Sequence, residues 1–422
     1  MAKTKERKAL KKGKASFQLI GRAKVTDKTF NMDNSYDSGW TDNQMYLGVD
    51  CGNGNIVYGE MRGGFFPDDD NVLRGFSKKD KDDSGKSKMV EIAWEDRFNE
   101  DLLDTIADTS FITVGVEKDV KDKTVYKKFL SAYDAVEYLN EHLEDGMIVN
   151  VKGNIGYSEY DENISVKKDI TSIVLSKVES EYEKIHEAET KKAEEQENRD
   201  FKFTELEDFF KAKFSQMILL DSKSVGKKDK EKGTIMLDAY VVDYVGAPKI
   251  DGKKVPVKQN VVYPKTFEIA VNENESLTDK MIQKYFKVSK KNVINALTVV
   301  GDIIEGAAIV NITYDDIPDD IKEMIEMGLY SEDEAKKKCA IGNNNREKRM
   351  VIIKPDITYV GDEDNRKPTV ALEEAKYEDT DLYFYEQALT DAGVSVDNEN
   401  TNGESLDDVN EEDDLLAMLD NM

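Results

Sequence analysis

The chain has 422 residues and a formal net charge of −27, and charged residues make up 35% of it. This length supports two or three domains with proper hydrophobic cores. Only two cysteines occur, Cys51 and Cys339, which excludes a disulfide framework and a CxxC zinc site. No apolar run approaches the roughly 20 residues that span a bilayer, and no apolar segment follows the basic N-terminus. We therefore expect a protein of the reducing cytoplasm.

The first fourteen residues are strongly basic and carry a net charge of +6. Their only acid is Glu6, and their cations are Lys3, Lys5, Arg7, Lys8, Lys11, Lys12 and Lys14. We predict a disordered basic arm over residues 1–14. Residues 15–376 still carry a net charge of −18, so a role in binding polyanions depends on where the cations lie rather than on their sum.

Residues 15–176 are predicted to form a first, mainly β domain. Strands are expected at 17–25, 44–50, 55–62, 111–116, 147–155 and 164–175, and a helix at 127–144. The sequence Cys51-Gly52-Asn53-Gly54 supplies the positive φ angles of a tight hairpin turn. Strands followed by a helix and two more strands are the order of an OB-fold, the small barrel whose open face binds oligonucleotides.

Residues 177–210 are rich in Glu and Lys and lack turn residues, which predicts a charged helical linker. A second OB-like domain is predicted over residues 211–362. Its strands are expected at 215–222, 234–245, 261–271, 307–314 and 349–360, with a helix at 277–286. The fold class is thus mostly β with some α structure.

The two blocks resemble copies of one another. Residues 14–20 match 211–218, residues 145–151 match 305–312, and residues 168–173 match 354–360, in the same order. Three ordered matches, each at a predicted strand, indicate a tandem duplication.

The last 46 residues contain fifteen Asp or Glu and no Lys or Arg. Such a segment is too polar to form a core, so residues 363–422 are predicted to be a disordered acidic tail. It ends in a small apolar tip, which we expect to bind a partner protein as an acidic-flanked helical anchor. The partner-binding candidates in this tip are Leu415, Leu416, Met418 and Leu419.

A basic arm, two OB-like blocks and an acidic tail with an apolar end resemble the single-stranded DNA-binding proteins of bacteria and bacteriophages. The bacterial tail ends in acidic residues followed by Pro-Phe, whereas this one ends in Leu415 to Met422. The resemblance implies a non-catalytic protein that coats and protects single-stranded DNA in phage replication, recombination or repair, in the host cytoplasm. It also implies that the tail regulates DNA binding and recruits replication or recombination proteins, and that the arm supports self-association.

Strand parity indicates which side chains would contact DNA. A single strand is held by cations that follow its phosphates and by aromatic rings on which its bases stack. On strand 55–62, Tyr58 and Arg62 alternate with Val57 and Met61, so the first pair faces away from the core. The candidate DNA-binding residues, chosen by this parity or by position in loops and basic clusters, are Arg22, Trp40, Tyr46, Tyr58, Arg62, Phe65, Lys152, Tyr240, Tyr244, Lys254 and Lys258.

The sequence offers little to support catalysis. Gly85-Lys86-Ser87 imitates the end of a P-loop, but position 80 holds Asp80 instead of the required glycine. The two histidines, His142 and His186, lack spaced metal ligands. We expect no enzyme activity, no cofactor, no metal and no membrane partner. Two alternatives to DNA binding remain open: a virion structural or scaffolding protein, and a replication or transcription adaptor that binds only proteins.

Overall fold

The computed structural model describes most of the chain. The described residues are 7–82, 85–160, 163–195, 203–229, 233–250, 253–272, 274–307, 314, 317–329, 331–332, 335–336, 346–361 and 365–394. Within these ranges the protein is mostly β, as the sequence predicts.

Ten strands belong to the first half and eleven to the second within the described ranges. The first ten are β1 Ala15–Lys24, β2 Phe30–Ser35, β3 Thr41–Asp50, β4 Ile56–Phe65, β5 Val72–Lys81, β6 Ser87–Ala93, β7 Ile112–Lys118, β8 Thr124–Phe129, β9 Ile148–Tyr160 and β10 Asn163–Leu175. The others are β11 Lys211–Leu220, β12 Val225–Asp229, β13 Thr234–Val245, β14 Lys249–Ile250, β15 Lys253–Lys254, β16 Gln259–Ala270, β17 Val293–Ala307, β18 Arg346–Pro355, β19 Ile357–Val360, β20 Lys367–Val370 and β21 Leu372–Glu378.

Six α-helices accompany the strands in the described part of the chain. They are α1 Glu100–Leu103, α2 Ala132–His142, α3 Val178–Glu195, α4 Glu275–Met281, α5 Asp319–Glu326 and α6 Tyr385–Asp391. Helix α4 continues as a π-helical turn at Ile282–Phe286.

Five strands in each half pair in a closed circuit. In the first half β1 pairs with β3 and β9, β3 with β4, β10 with β9, and β4 runs parallel to β10 at Glu60 and Asp169. In the second half β11, β13, β16, β18 and β17 repeat these pairings, with β16 parallel to β18. Helix α2 lies between β4 and β9 in the chain, and α4 lies between β16 and β17.

The two halves meet through antiparallel pairing of β1 with β11. Phe17 lies directly opposite Phe214, its counterpart in the other half, so this contact has a local two-fold axis. Each phenylalanine ring packs over a glycine of the next strand, Phe17 over Gly153 and Phe214 over Gly301. The two halves are therefore structural repeats that share one continuous sheet. The sequence predicts two domains joined by a helical linker, and the pairing of β1 with β11 joins them as well.

The register of the repeat differs from the predicted one. Gly153 corresponds to Gly301, because each lies under the ring of the matching phenylalanine. The predicted match of 14–20 with 211–218 agrees with this register, whereas the other two predicted matches are out of register. A strand was expected at 307–314. The observed strand β17 ends at Ala307, and residues 308–313 lie outside the described residues.

The predicted linker contains helix α3, but it is also packed against the first half. Val178 and Phe210 form a small apolar cluster with Ile148 of β9. Farther along, the Glu189 carboxylate accepts hydrogen bonds from the backbone N–H and the hydroxyl of Thr204.

The prediction of a disordered arm is wrong for residues 7–14. The Leu10 side chain is only 6% exposed, and its carbonyl accepts a hydrogen bond of 2.8 Å from Asn260. The ammonium groups of Lys12 and Lys14 form ion pairs with Asp243 and Asp356. These residues are therefore engaged within the chain and give no support to self-association. Residues 1–6 lie outside the described part.

The prediction of a disordered tail is wrong for residues 365–394. Strand β21 pairs with β17, and Leu389 of helix α6 is buried in the main core. This segment also binds the arm, since Asp381 accepts a hydrogen bond from the Lys8 N–H and Arg7 lies 4.0 Å above the ring of Tyr383. Residues 395–422, which include the apolar tip, lie outside the described residues.

Candidate nucleic-acid interface

The hairpin of β3 and β4 has one face in the core and one turned away from it. Met45, Leu47 and Val57 are fully buried in the core. The opposite side, here called the outer face, bears Gln44, Tyr46, Gly48, Tyr58, Glu60 and Arg62. The predicted parity of Tyr58 and Arg62 is thus confirmed, because strand side chains alternate between the two faces.

Two aromatic rings lie against glycines of this outer face. A Cβ atom added at Gly48 would lie 3.0 Å from Cε1 of Tyr58. One added at Gly64 would lie 2.7 Å from Cζ2 of Trp40. Tyr58 is paired with Gly48, whereas Gly64 is paired with Asp42, six residues nearer the start of β3. At ~3.3 Å per residue the two ring positions are about 20 Å apart.

The carboxylate of Asp42 holds the side chains between these rings. It is fully buried and accepts hydrogen bonds from Nε of Arg62 at 2.6 Å and Nε1 of Trp40 at 3.2 Å. Asn34 and Gln44 donate to it as well, and Arg62 also donates to the Tyr36 hydroxyl. One buried anion therefore orients a cation and an indole on the outer face.

Opposing effects set the pKa of Asp42. Burial of the carboxyl raises its pKa, but the hydrogen bonds from Arg62, Asn34 and Gln44 and the charge of Arg62 outweigh burial. The pKa of Asp42 consequently lies below its ordinary value of 3.8. Asp42 is therefore ionised at neutral pH, and Arg62 stays paired with it.

A group of aromatic residues, here called the aromatic group, lies around the Phe65 end of β4. Its members are Trp40, Phe65, Phe66, Trp94 and Tyr133; Trp40 adjoins the outer face, whereas Phe65 lies on the opposite face of β4 from Arg62. Trp40 meets Phe66 edge-on with centroids 4.9 Å apart, and Phe65 stacks on Trp94 at 4.7 Å. The Arg97 guanidinium lies 4.2 Å over the Trp94 ring. Trp94 thus contacts both Phe65 and Arg97, whereas Trp40 and Phe66 form a separate pair.

Helix α2 positions the tyrosine of this group. The side chain of Ser131 caps the helix by accepting a hydrogen bond from the Tyr133 N–H. The helix start packs closely on Gly63, where a Cβ would lie 2.6 Å from the Tyr133 nitrogen. The Tyr133 hydroxyl donates to Asp33 at 2.9 Å, and burial together with this carboxylate raises the pKa of Tyr133 to about 12.

Charge is unevenly distributed on the outer face. Arg62 lies toward the aromatic group, whereas Glu60 pairs with Tyr46 and lies beside Asp169 of β10. Burial raises the pKa of Asp169, and its hydrogen bond with Glu60 partly offsets that rise. The end nearer Trp40 is therefore the better end for a phosphate backbone.

Two predicted residues of the first half lie away from this face. Arg22 donates to Glu207 at 3.2 Å and lies 5.6 Å from the ring of Phe210, so it joins β1 to the linker region. Lys152 is exposed on β9, between β1 and β10. The structure brings together Trp40, Tyr46, Tyr58 and Arg62, and leaves Arg22 and Lys152 outside. Phe65 lies on the opposite face of β4.

In the second half, both ends of the described chain cover the turn end of the β13–β16 hairpin. Asp238 and Thr266, which correspond to Gly48 and Tyr58, remain exposed. Tyr240 of β13 meets the ring of Phe384 at 5.8 Å, and burial raises its pKa. Val262 of β16 donates its N–H to the carbonyl of Tyr383 at 2.8 Å. The neighbouring Asn260 binds Leu10 of the arm. A strand cannot lie on this surface while the two segments cover it.

The remaining second-half candidates are exposed but lie apart from the outer face. Tyr244 is 56% exposed at the end of β13. Lys254 lies in the short hairpin of β14 and β15, and Lys258 lies just before β16 with a φ of 51°.

Sequence reasoning missed Asp42, Tyr36, Trp94 and Tyr133. Alternation along β3 was a usable signal for Asp42, since it lies on the same side as Tyr46. No sequence pattern indicated Trp94, because β5 and β6 separate it from Phe65 along the chain.

Within the described ranges, no group of three or more His, Cys, Asp or Glu could hold a metal ion.

Comparison with known proteins yields only a distant likeness. No protein-family model and no curated protein matches the sequence. Among solved structures, the wild-type single-stranded DNA binding protein from Thermus aquaticus is similar at 10% identity, with 83% of this chain and 96% of that chain covered and a TM-score of 0.29. A deletion mutant of that protein gives the same identity and TM-score, with 97% of its chain covered. A TM-score this low does not establish a common fold.

In the described part of the chain, no helix is both long and apolar enough to cross a bilayer.

Proposed function

We propose that this protein binds single-stranded DNA without catalysis, and that the outer face of β3 and β4 is its binding site. The observation that carries the proposal is the pair of rings placed against glycines, Tyr58 at Gly48 and Trp40 at Gly64, with Arg62 between them. Aromatic rings stack with any base and a guanidinium pairs with a phosphate. Such a face binds a single strand with little preference for sequence.

Each closed circuit of strands is proposed to be an OB-type barrel. The order of pairing β1, β3, β4, β10, β9, with β4 parallel to β10 and a helix between β4 and β9, supports this assignment. OB-folds bind oligonucleotides on the face of their second and third strands. Those strands correspond here to β3 and β4, so the fold and the site lead to the same surface.

The wider role proposed is coating of single-stranded DNA during phage replication, recombination or repair, in the cytoplasm of the host. The acidic residues 395–422 would lower DNA affinity by competing for cations, and the apolar tip would recruit a partner protein. The composition of the tail supports this part, since it holds ten carboxylates and no Lys or Arg.

Tryptophan fluorescence and anisotropy test the site directly. The chain has two tryptophans, so Trp94→Phe leaves Trp40 as the only indole. We expect oligo(dT) to quench Trp40 emission in this background. Tyr58→Ala should weaken binding of a labelled oligo(dT), since stacking is worth about 1–3 kcal/mol per base. Tyr359→Ala, which removes a tyrosine that is 65% exposed on β19, is the matched control.

Three further results would refute the proposal. One is no binding of oligo(dT) at low salt, and another is equal affinity for blunt duplex. The third is an equal loss in the Tyr58 and Tyr359 variants. Affinity should also fall with salt at a slope of roughly −0.7 per phosphate contact.

A further inference from the structure

The hairpin of β5 and β6 packs its inner side against a small hydrophobic cluster. Its outer side exposes apolar side chains to solvent. On the inner side, Ile92 is buried in a small cluster with Ile106 and Phe111. On the outer side, Phe76 and Met89 are paired across the strands and are 47% and 53% exposed. Two large apolar side chains side by side on a solvent-facing strand pair favour contact with a ligand.

The base of this hairpin is bonded to the aromatic group. The side chain of Asn71 accepts from the Phe66 N–H at 2.9 Å and donates to the Phe66 carbonyl at 2.6 Å. The Asn71 carbonyl accepts from the Trp94 N–H at 3.0 Å. Val72, the next residue, is already 50% exposed. The exposed side of the hairpin therefore begins where the proposed binding site ends.

The end of the hairpin carries cations that the outer face lacks. We call Lys79, Lys81, Lys86 and Lys88 the tip lysines; all four are exposed. None of them forms an ion pair with a carboxylate in the described part of the chain, whereas Arg62 on the outer face is paired with buried Asp42. In the sequence, the hairpin holds the acids Asp80, Asp82, Asp83 and Glu91 against Arg74 and five lysines, so it has a small excess of positive charge.

We propose that the exposed side of the β5–β6 hairpin binds a second stretch of the same nucleic acid strand, with a base on Phe76 and phosphates on the tip lysines. This inference rests on the proposed function. Toward its aromatic end the outer face supplies rings but only one cation, Arg62. A strand that leaves this end over Phe66 would next meet the ring of Phe76 and the four tip lysines. Rings and cations in succession are what a single strand requires.

Affinity measured against strand length tests this extension with the full chain. Labelled oligo(dT) of increasing length is titrated into wild type and into a variant with all four tip lysines changed to Gln. A matched control changes Lys121, Lys123, Lys290 and Lys291 to Gln, which are also exposed and give the same change in charge. We expect the tip variant to bind the shortest oligonucleotides like the control. For long oligonucleotides it should lose about tenfold or more in affinity, and its salt slope should fall by up to about 2.8, or roughly 0.7 per lysine.

The outcomes separate this inference from the proposed function. If wild type binds no oligonucleotide of any length, the proposed function fails. If wild type binds and the tip variant matches the control at every length, the hairpin proposal is overturned and the outer face stands. The proposal is also overturned if the effect of the tip variant vanishes in a chain that ends at Val394. In that case the lysines hold the acidic tail rather than DNA.

Discussion

Asp42 is the residue on which the geometry of the outer face depends. Its carboxylate binds Arg62 and Trp40 together, so removing Arg62 would leave a buried anion without its main partner. A double change of Tyr58 and Arg62 to Ala would therefore mix lost DNA contacts with lost stability. Tyr58→Ala alone is the cleaner probe of stacking.

Asp42→Asn should lower the free energy of unfolding at neutral pH by about 2–3 kcal/mol, because hydrogen bonds to a charged group are lost. The pKa of Asp42 is lower in the folded chain than its ordinary value of 3.8. Its contribution is thus present above that value and disappears as pH falls through the folded pKa. Denaturant unfolding of both proteins at a series of pH values measures the difference.

Asp37→Asn is the control for this experiment, since Asp37 is an exposed acid a few residues away. It should change stability by no more than about 0.5 kcal/mol. If Asp42→Asn costs as much well below pH 3.8 as at neutrality, the charge of Asp42 is not what stabilises the face.

Gly48→Ala should weaken DNA binding through Tyr58. The new methyl group would lie 3.0 Å from the Tyr58 ring and 3.3 Å from Ile56, so the ring has to shift by a few tenths of an ångström. We expect a loss of up to about 1–3 kcal/mol in binding of oligo(dT), the value of one stacked base. A double-mutant cycle measures the coupling. The loss should be absent in a Tyr58→Ala background, and a loss that persists there would exclude the ring as its cause.

Part of this residue-scale picture follows from the sequence. Alternation along β4 predicts that Tyr58 and Arg62 face away from the core, and the structure agrees. The partners of Asp42 come from β2, β3, β4 and the β2–β3 turn. No local sequence pattern indicates that these residues meet at one carboxylate.

At the scale of elements, the arm and helix α6 behave as parts of the second half. Leu10 and Tyr383 both bind β16, and Arg7 lies 3.7 Å from Asp391 at the end of α6. These segments cover the turn end of the β13–β16 hairpin. The second circuit therefore holds both ends of the described chain.

Leu10→Ala should destabilise the protein without weakening DNA binding. Truncating a buried leucine costs about 2–3 kcal/mol or more, and Leu10 is 6% exposed. Lys11→Ala is the matched control, because the exposed Lys11 binds Tyr377 through its backbone N–H only. Thermal unfolding and oligo(dT) anisotropy of both variants give the answer. Weaker DNA binding in Lys11→Ala with unchanged stability in Leu10→Ala would show instead that the arm contacts phosphates.

Composition explains why these elements were mispredicted. The arm and the segment 365–394 are rich in charge, which favours disorder when each is considered alone. In the structure their charges pair with charges elsewhere in the chain, as Lys12 does with Asp243 and Lys14 with Asp356. Strands and helices with clear periodicity, such as α2, were predictable because their signal is local.

At the scale of the whole molecule, the acidic tail should compete with DNA. Ending the chain at Val394 removes ten carboxylates but keeps α6, whereas a cut at Asp391 would remove a carboxylate that accepts a hydrogen bond from Tyr383. We expect higher affinity for oligo(dT), most at low salt and least at high salt, where screening already weakens the competition. Unchanged affinity at both salt concentrations would rule out the competitor role.

A shorter truncation separates recruitment from competition. Removing residues 415–422 deletes the apolar tip and only one carboxylate, Asp420. DNA affinity should stay nearly the same, while capture of a partner protein by the tip is lost. A rise in affinity equal to that of the longer truncation would place the competing charge in these last residues.

The duplication was predictable, but its register was not. Residues 14–20 and 211–218 share letters, and Phe17 and Phe214 occupy equivalent places. The equivalence of Gly153 with Gly301 depends on which strand lies under each ring, and that is a property of the sheet rather than of the sequence. Pairing of β1 with β11 likewise has no local signal.

That pairing places Phe17 opposite its own counterpart, which is the arrangement found where two identical subunits meet across a two-fold axis. A chain with one half alone would present the edge of β1 as a site for joining a second copy. When the two copies are fused, they are always present in equal numbers, and each can change in sequence independently of the other. The two copies differ in this molecule: the first carries Trp40 and Tyr58 at its outer face, and the second anchors both ends of the described chain.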